Sequence, residues 1–145
     1  MSFQFSLATV LRVRGIIEEQ EERTLQKILS EIVRTKEALA LTDTAIAKSD
    51  ASRCVDILKP FLGHNLHAIY GEMKELKENR KNIEEQIVKL EELRDRQIKI
   101  YENARGNREM LFNMREEKRN EYESDIARLE QKTLDDVFIS RRSRN

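Results

Sequence analysis

The fold is decided by residues 66–137, which read LHAIYGEMKELKENRKNIEEQIVKLEELRDRQIKIYENARGNREMLFNMREEKRNEYESDIARLEQKTLDDV. This stretch contains no proline and only two glycines, and it is rich in Glu, Lys, Arg, Leu and Ile, which favour helix. Two rows of residues at seven-residue spacing form the a/d pattern of a coiled coil: the first is Leu62, Ile69, Leu76, Ile83 and Leu90, and the second is Leu66, Met73, Ile87 and Tyr101. The pattern predicts one helix on the order of 100 Å long, which must pack along another helix because a compact domain cannot enclose it.

The composition points to a thin, highly charged molecule. Of 145 residues, 37% are charged and only 6% are aromatic. With strong heptad order, these fractions favour an all-α fold, an extended antiparallel two-helix coiled coil, over a globular core or disorder. Basic and acidic residues number 27 each, so the formal net charge is zero. Because the signs alternate along the chain, the charge pattern argues against a nucleic-acid binder, which needs a basic face.

Several features place the protein in the cytoplasm. The single cysteine, Cys54, cannot form an internal disulfide, which fits a reducing compartment. No apolar run approaches the roughly 20 residues that a membrane span needs, and the N-terminus lacks the pattern of a secretory signal. We therefore expect a soluble protein with no transmembrane segment.

The first helix is predicted at about residues 3–49. Its apolar stripe continues through two threonines at seam positions and contains Phe3, Leu7, Val10, Leu11, Ile17, Leu25, Ile28, Ile32, Thr35, Leu39, Thr42 and Ile46. Ile17 and Leu25 are eight residues apart instead of seven, which predicts a shift of the seam near residues 18–22. Gly15 lies just before that shift and predicts a weak point in the helix.

A bend is predicted at about residues 50–64. Ser49, Asp50 and Ser52 are turn and capping residues, and Pro60 and Gly63 follow them. The second helix then covers about residues 65–138, with its start open between 52 and 65, and a basic tail covers 139–145. The whole chain, residues 1–145, is predicted to be a single coiled-coil hairpin.

The second helix is predicted to extend beyond the first. If the bend is centred between residues 55 and 60, position 3 lies opposite a residue between 107 and 117, so that roughly 25 or more C-terminal residues have no partner. These residues include the apolar side chains of Leu129, Leu134, Val137, Phe138 and Ile139. Exposed apolar surface of this kind usually marks a binding site. Gly106, near the end of the paired region, indicates either a bend there or a tolerated glycine.

No catalytic, metal or cofactor site is predicted. His64 and His67 have a spacing that could hold a metal, but no cysteine or carboxylate cluster completes the site, and solvated histidines are the better interpretation. The carboxylate runs have no pocket that would separate their pKa values, and no phosphate loop or nucleophile grouping is present. We therefore expect a protein that is not an enzyme.

An arginine row follows the same heptad positions as Met73, Ile87 and Tyr101. It consists of Arg80, Arg94, Arg108 and Arg115. The arginine stems can lie in the seam with their heads in water. Toward the C-terminus, where the first helix ends, contact with acidic groups of a partner is an equally good interpretation.

Both ends of the chain carry recognisable sequences. Residues 3–14 read FQFSLATVLRVR, residues 115–119 read REEKR, and residues 130–136 read EQKTLDD. With these motifs the chain resembles the FliJ family, the cytoplasmic stalk proteins of the bacterial flagellar export apparatus, which is related to the YscO group of type III secretion. The length and the predicted hairpin also agree with that family.

The resemblance implies a two-helix coiled coil similar to the central stalk of rotary ATP synthases. It implies a non-enzymatic protein of flagellum biogenesis, hence of motility and chemotaxis, that needs no cofactor. Its implied partners are the hexameric export ATPase, which hydrolyses the ATP, the export gate membrane protein and export chaperones. Its implied location is the cytoplasm, at the periphery of the inner membrane. The residues implied to contact the ATPase ring are Phe3, Phe5, Leu7, Arg14, Arg115, Arg119, Gln131, Leu134, Asp135 and Phe138.

Two other functions stay open on sequence grounds. A generic coiled-coil chaperone or scaffold would bind secretion substrates or chaperones along the paired helices, and it would keep its function without the residues after Arg128. A helical nucleic-acid binder would use the arginine row and the tail residues Arg141, Arg142 and Arg144, and its binding would weaken with salt.

Overall fold

Two long helices make up the structure, a computed structural model that describes residues 2–57 and 63–144. Helix α1 is Ala8–Ile57, with 50 residues, and helix α2 is Gly63–Arg142, with 80 residues. No strand occurs among the described residues, so the predicted all-α fold with a longer second helix is confirmed. The chain divides into two compact units: a terminal unit of Met1–Glu21 with Tyr101–Asn145, and a central unit of Glu22–Ile100.

In the terminal unit, the segments of α1 and α2 are antiparallel. The ring centroids of Phe3 and Tyr122 are 5.6 Å apart, and further along α1 the carboxylate of Glu18 meets Arg108. Moving forward along the first segment therefore moves backward along the second. Ala104 and Leu111 are buried on the inner side of α2, as a seam between two helices requires.

The central unit has the same antiparallel arrangement. Lys36 Nζ lies 3.7 Å from a Glu91 carboxylate oxygen, and Arg80 Nε lies 2.5 Å from a carboxylate oxygen of Asp43. The buried apolar residues of this unit are Ile28, Ile32 and Met73. The predicted antiparallel two-helix coiled coil is thereby confirmed in each unit.

The heptad rows of the sequence agree with the burial in α2. In the central unit the inward positions are Ile69, Met73, Leu76, Arg80, Ile83, Ile87, Leu90, Arg94 and Gln97; in the terminal unit they include Tyr101, Ala104, Arg108, Leu111, Arg115 and Tyr122. The predicted row members Leu62 and Leu66 lie outside the described side chains. In α1, the hydroxyls of Thr35 and Thr42 donate to the carbonyl oxygens of Glu31 and Ala38, so these seam threonines have hydrogen-bond partners within their own helix.

Helix α1 begins at Ala8 and not near residue 3. Residues 2–5 have no regular secondary structure, and Phe3 and Phe5 are both half-buried. The backbone N–H of Ala8 donates to the carbonyl oxygen of Phe5, so a turn leads from this segment into the helix. Two residues at this spacing point to different sides of a helix, whereas outside it both phenylalanines are covered by the rest of the terminal unit.

The C-terminal ends of both helices also differ from the prediction. Helix α1 continues through Ser49, Asp50 and Ser52 to Ile57, since such residues favour caps and turns without forcing a helix to stop. Helix α2 begins at Gly63, within the predicted range of 52–65, and continues past the predicted end at 138 to Arg142, where basic side chains in the last turn suit the helix dipole. Of the predicted bend, residues 58–62 with Pro60 lie outside the described residues.

The pairing of the two helices in the terminal unit is displaced from the prediction. Phe3 contacts Tyr122 instead of a residue between 107 and 117. Glu18 pairs with Arg108, and the same register continued toward the start of the chain places position 3 opposite about position 123, where Phe3 is found. The displacement arises because α1 continues to Ile57, later than predicted, and the unpaired end of α2 begins after Tyr122.

The glycines lie inside the helices, and none of the described ones has a positive φ. A Cβ built on Gly106 would have no atom within 4 Å, whereas a Cβ on Gly15 would lie 4.0 Å from Cδ of Arg108. Of the two interpretations of Gly106, a tolerated glycine on an open helix surface is the one that this geometry supports.

Candidate protein-binding site

A charged residue occupies the seam where the sequence predicted a shift. Glu18 is seven residues after Leu11 and seven before Leu25, and its side chain is only 14% exposed, beside Arg108. Ile17 is half-buried as well. The seven-residue spacing of the seam therefore continues without a shift, with a carboxylate at one of its positions. Sequence reasoning missed Glu18 because it followed only apolar residues, although the seven-residue spacing could have identified it.

The arginine row divides into two kinds of residue. Arg80 and Arg108 form ion pairs with α1, to Asp43 and Glu18 respectively. The hydrogen bond with Asp43 and the charge of that carboxylate raise the pKa of Arg80 above its usual value. Arg94 and Arg115 instead pair with their own neighbours in α2, Asp95 and Glu116.

The basic candidates of the terminal unit make local contacts only. The Arg115 guanidinium carbon lies 4.8 Å from the centroid of the Phe112 ring. Arg119 Nε donates to Glu123 over 3.2 Å, one turn further along α2. Exposed pairs of this type contribute about 0.3–0.5 kcal/mol. These arginines can therefore exchange their present partners for acidic groups of another molecule at little cost.

The predicted N-terminal site residues fall into two groups. Phe3 contacts Tyr122 and Phe5 is half-buried, so both contribute to the packing of the terminal unit. Leu7 and Arg14 are exposed. Leu7 and Arg14 are therefore accessible from outside the molecule, whereas Phe3 contributes to the packing of its own unit.

The most exposed apolar residues of the terminal unit lie on the overhang, which we define as residues 123–142 of α2. From position 127 onward, every described side chain is exposed. Leu134 is 68% exposed and Phe138 is 79% exposed, and Leu129 reaches 64%. The predicted site residues Gln131 and Asp135 are exposed on the same segment. A shallow groove of about 460 Å³ is lined by Ile126, Leu129, Glu130, Thr133 and Leu134.

The described residues do not assemble a metal site: no group of three or more His, Cys, Asp or Glu residues is placed to hold an ion. His67 is exposed, and the side chain of His64 lies outside the described residues. Neither helix, over its described residues, has a stretch long and apolar enough to cross a bilayer.

No protein-family model, curated protein sequence or solved structure matches the chain. What the protein does is therefore inferred from its own residues.

Proposed function

We propose that this chain is a non-enzymatic component of the bacterial flagellar, type III protein export apparatus. In this proposal it binds the hexameric export ATPase as a central stalk and couples the ring to the export gate membrane protein. It acts in the cytoplasm at the inner membrane, with export chaperones as a further class of partner. The FliJ-like motifs at both ends suggest this role, and the exposed apolar overhang is the observation that carries it.

The overhang exposes apolar side chains on several sides of the helix. Leu129, Phe138 and Ile139 are each more than 60% exposed, and their spacing directs them to different faces. Burying one such side chain contributes about 1.5–3 kcal/mol. A partner that surrounds the helix, as the pore of a ring does, buries all of them, whereas a flat partner buries only one face.

The motifs that carry the resemblance belong to one unit. Residues 3–14, 115–119 and 130–136 all lie in the terminal unit, although more than a hundred residues separate the first from the last. The ring contact between Phe3 and Tyr122 joins the first motif to α2, which carries the other two motifs. This arrangement supports docking of the ring at the end of the molecule that holds both termini.

The test is the effect of the purified chain on the cognate export ATPase. We expect the full-length chain to raise the ATPase rate and the hexamer fraction, and a chain ending at Arg128 to lose both effects. The matched control is Val88→Ala with Leu93→Ala, which removes exposed apolar side chains of the central unit and leaves the overhang intact. Circular dichroism verifies that each variant is helical.

The rival function, a chaperone or scaffold that binds along the paired helices, predicts the opposite result. Under that function the chain ending at Arg128 keeps its partner binding, and the Val88→Ala, Leu93→Ala control loses it. If the full-length chain does not stimulate the ATPase at all, the proposed stalk function is wrong.

A further inference from the structure

The first residues of the chain pack on α2 with little burial. Among the described residues 2–21 no side chain is buried, whereas in the central unit Ile28 is 8% exposed and Ile32 is 4% exposed. Segments that bury few apolar side chains open at a lower free energy than the core of a protein does. Residues 2–21 are therefore the part of α1 and its N-terminal extension that opens most easily.

Charged residues occupy most of the seam positions in this segment. Counted back from Ile28 and Ile32 in steps of seven, these positions are Leu7, Leu11, Arg14, Glu18 and Glu21. Arg14 is exposed, and Glu18 and Glu21 are half-buried. The ion pair of Glu18 with Arg108 fixes the register, but a desolvated ion pair adds less to stability than well-packed apolar side chains of similar volume. Few apolar contacts therefore hold the segment on α2.

The helical backbone of the segment is also weak. Gly15 lies inside it, and glycine is less favourable in a helix interior than any residue except proline. The first turn of α1 contains no acidic residue, so it lacks a favourable interaction with the helix dipole. At the other end of the segment, Glu18 and Glu22 are four residues apart, and like charges at this spacing destabilise a helix. The helix can therefore be interrupted near residue 21 at little cost.

We propose that residues 2–21 form a displaceable strap, which opens from α2 as one cooperative unit while the central unit stays folded. In the closed state, Phe3 contacts Tyr122 and Glu18 contacts Arg108. Leu111 lies on α2 between these two contacts and is only 8% exposed, so the strap covers it. When the strap opens, the unpaired part of α2 begins well before residue 123.

The strap determines how much of α2 another molecule can reach. In the closed state, the overhang is the part of α2 without a partner helix. In the open state, the apolar side chain of Leu111 and the guanidinium groups of Arg108 and Arg115 become accessible as well. Opening is a property of the isolated chain, so it occurs whether or not the proposed export function is correct.

Hydrogen exchange of the full-length chain at low urea concentrations measures the opening. We expect the amides of residues 11–20 to share one opening free energy with a weak urea dependence, because only part of the chain unfolds. They should exchange at least about 10-fold faster than the most protected amides of residues 25–45. Opening free energies that rise steadily from Ala8 inward would indicate fraying of the helix end and would overturn the proposal.

Thiol labelling tests whether the opening uncovers α2. Leu111→Cys and Met73→Cys each place a thiol at a buried position, one in each unit. The exposed Cys54 gives the labelling rate of an accessible thiol in the same chain. We expect the thiol at position 111 to react at least about 10-fold faster than the thiol at position 73, because opening of the strap is enough to expose it. Equal rates at the two positions would contradict the strap.

Two matched glycine substitutions separate opening of the strap from unfolding of the whole chain. Gly15→Ala should slow labelling at position 111 about 2- to 5-fold, because alanine favours helix and its Cβ would make only an ordinary contact with Arg108. Gly71→Ala, which has open space in the central unit, should slow labelling at position 73 and leave position 111 unchanged.

The effect of Gly71→Ala decides between the two kinds of opening. If Gly71→Ala slows labelling at both positions equally, the chain opens only as a whole and the proposal is wrong. Circular dichroism checks that all variants keep their helical content, and hydrogen exchange of the unmodified chain gives the same distinction without a new thiol.

Discussion

Arg108 donates the hydrogen of its Nε to the carboxylate of Glu18, across the two helices of the terminal unit. The Cδ of the same arginine lies 4.0 Å from the position of a Cβ on Gly15. The arginine stem therefore passes beside Gly15 at a distance that would be an ordinary van der Waals contact for an alanine, and its guanidinium reaches the carboxylate one turn further on. The ion pair fixes the relative position of the two segments, a role that buried polar groups fill in other coiled coils.

Arg108→Met should destabilise the protein by about 1–3 kcal/mol, because Glu18 would keep its charge in the seam without a partner. Urea unfolding monitored by circular dichroism measures the change. The control is Arg105→Met, which breaks the exposed pair with Glu109 inside α2 and should cost no more than about 0.5 kcal/mol. Replacing both Glu18 and Arg108 by Leu should recover much of the lost stability. Equal losses for Arg105→Met and Arg108→Met would contradict the assigned role.

Leu134→Ala combined with Phe138→Ala should leave the unfolding free energy nearly unchanged, because both side chains are already exposed in the isolated chain. The same change should weaken binding of the export ATPase ring in a pull-down or fluorescence titration. The matched control is Ile32→Ala, where a side chain only 4% exposed is truncated and about 2–5 kcal/mol should be lost. A comparable loss of unfolding free energy in the double variant would contradict the interpretation of these residues as partner contacts.

Gly106→Ala should stabilise the protein by about 0.5–1 kcal/mol, because alanine favours helix and its Cβ meets no atom within 4 Å. Gly71→Ala has equally open space and serves as the comparison within the central unit. Thermal unfolding of both variants measures the effect. A lower melting temperature for Gly106→Ala alone would show that this position needs glycine, as a bend would require.

Phe3→Ala should lower the protection of the backbone amides near Tyr122 in hydrogen exchange, because the ring contact holds residues 2–5 against α2. The loss of global stability should be modest, on the order of 1 kcal/mol, as for an aromatic pair at an edge. Leu7→Ala is the control, since Leu7 is exposed. Unchanged exchange near Tyr122 in Phe3→Ala would mean that the contact contributes nothing in solution.

Periodicity predicted the inner face of α2 well. Ile69, Leu76, Ile83 and Leu90 face inward, as do Met73 and Ile87, because a two-helix seam is set by spacing alone. The arginines on the same row were also placed correctly, at Arg80 and Arg108. Their partners Asp43 and Glu18 could not be identified from the sequence, because many carboxylates of α1 are possible partners until the alignment of α1 against α2 is known.

The helix ends and the register were predicted poorly, for two physical reasons. Ser49 and Asp50 favour caps, but the surrounding helix outweighs their small preferences. Phe3 was assigned to the first helix by its place in the apolar stripe, although residues 2–5 precede the helix. The later end of α1, at Ile57, displaced the pairing of Phe3 along α2, and with it the start of the overhang. The site residues of the terminal unit remain predictions that the binding experiments test.

The order of helix pairing also affects how the chain is made. Glu18 and Arg108 are 90 positions apart, and Asp43 and Arg80 only 37. Closing the longer loop first costs about 0.8 kcal/mol more entropy, so folding favours the nearer pairs. During synthesis, Phe3 leaves the ribosome well before Tyr122 and is consequently later to find its partner than the residues of the central unit. The apolar side chains around Phe3 stay uncovered in the nascent chain until Tyr122 has emerged, so chaperones have more time to bind them.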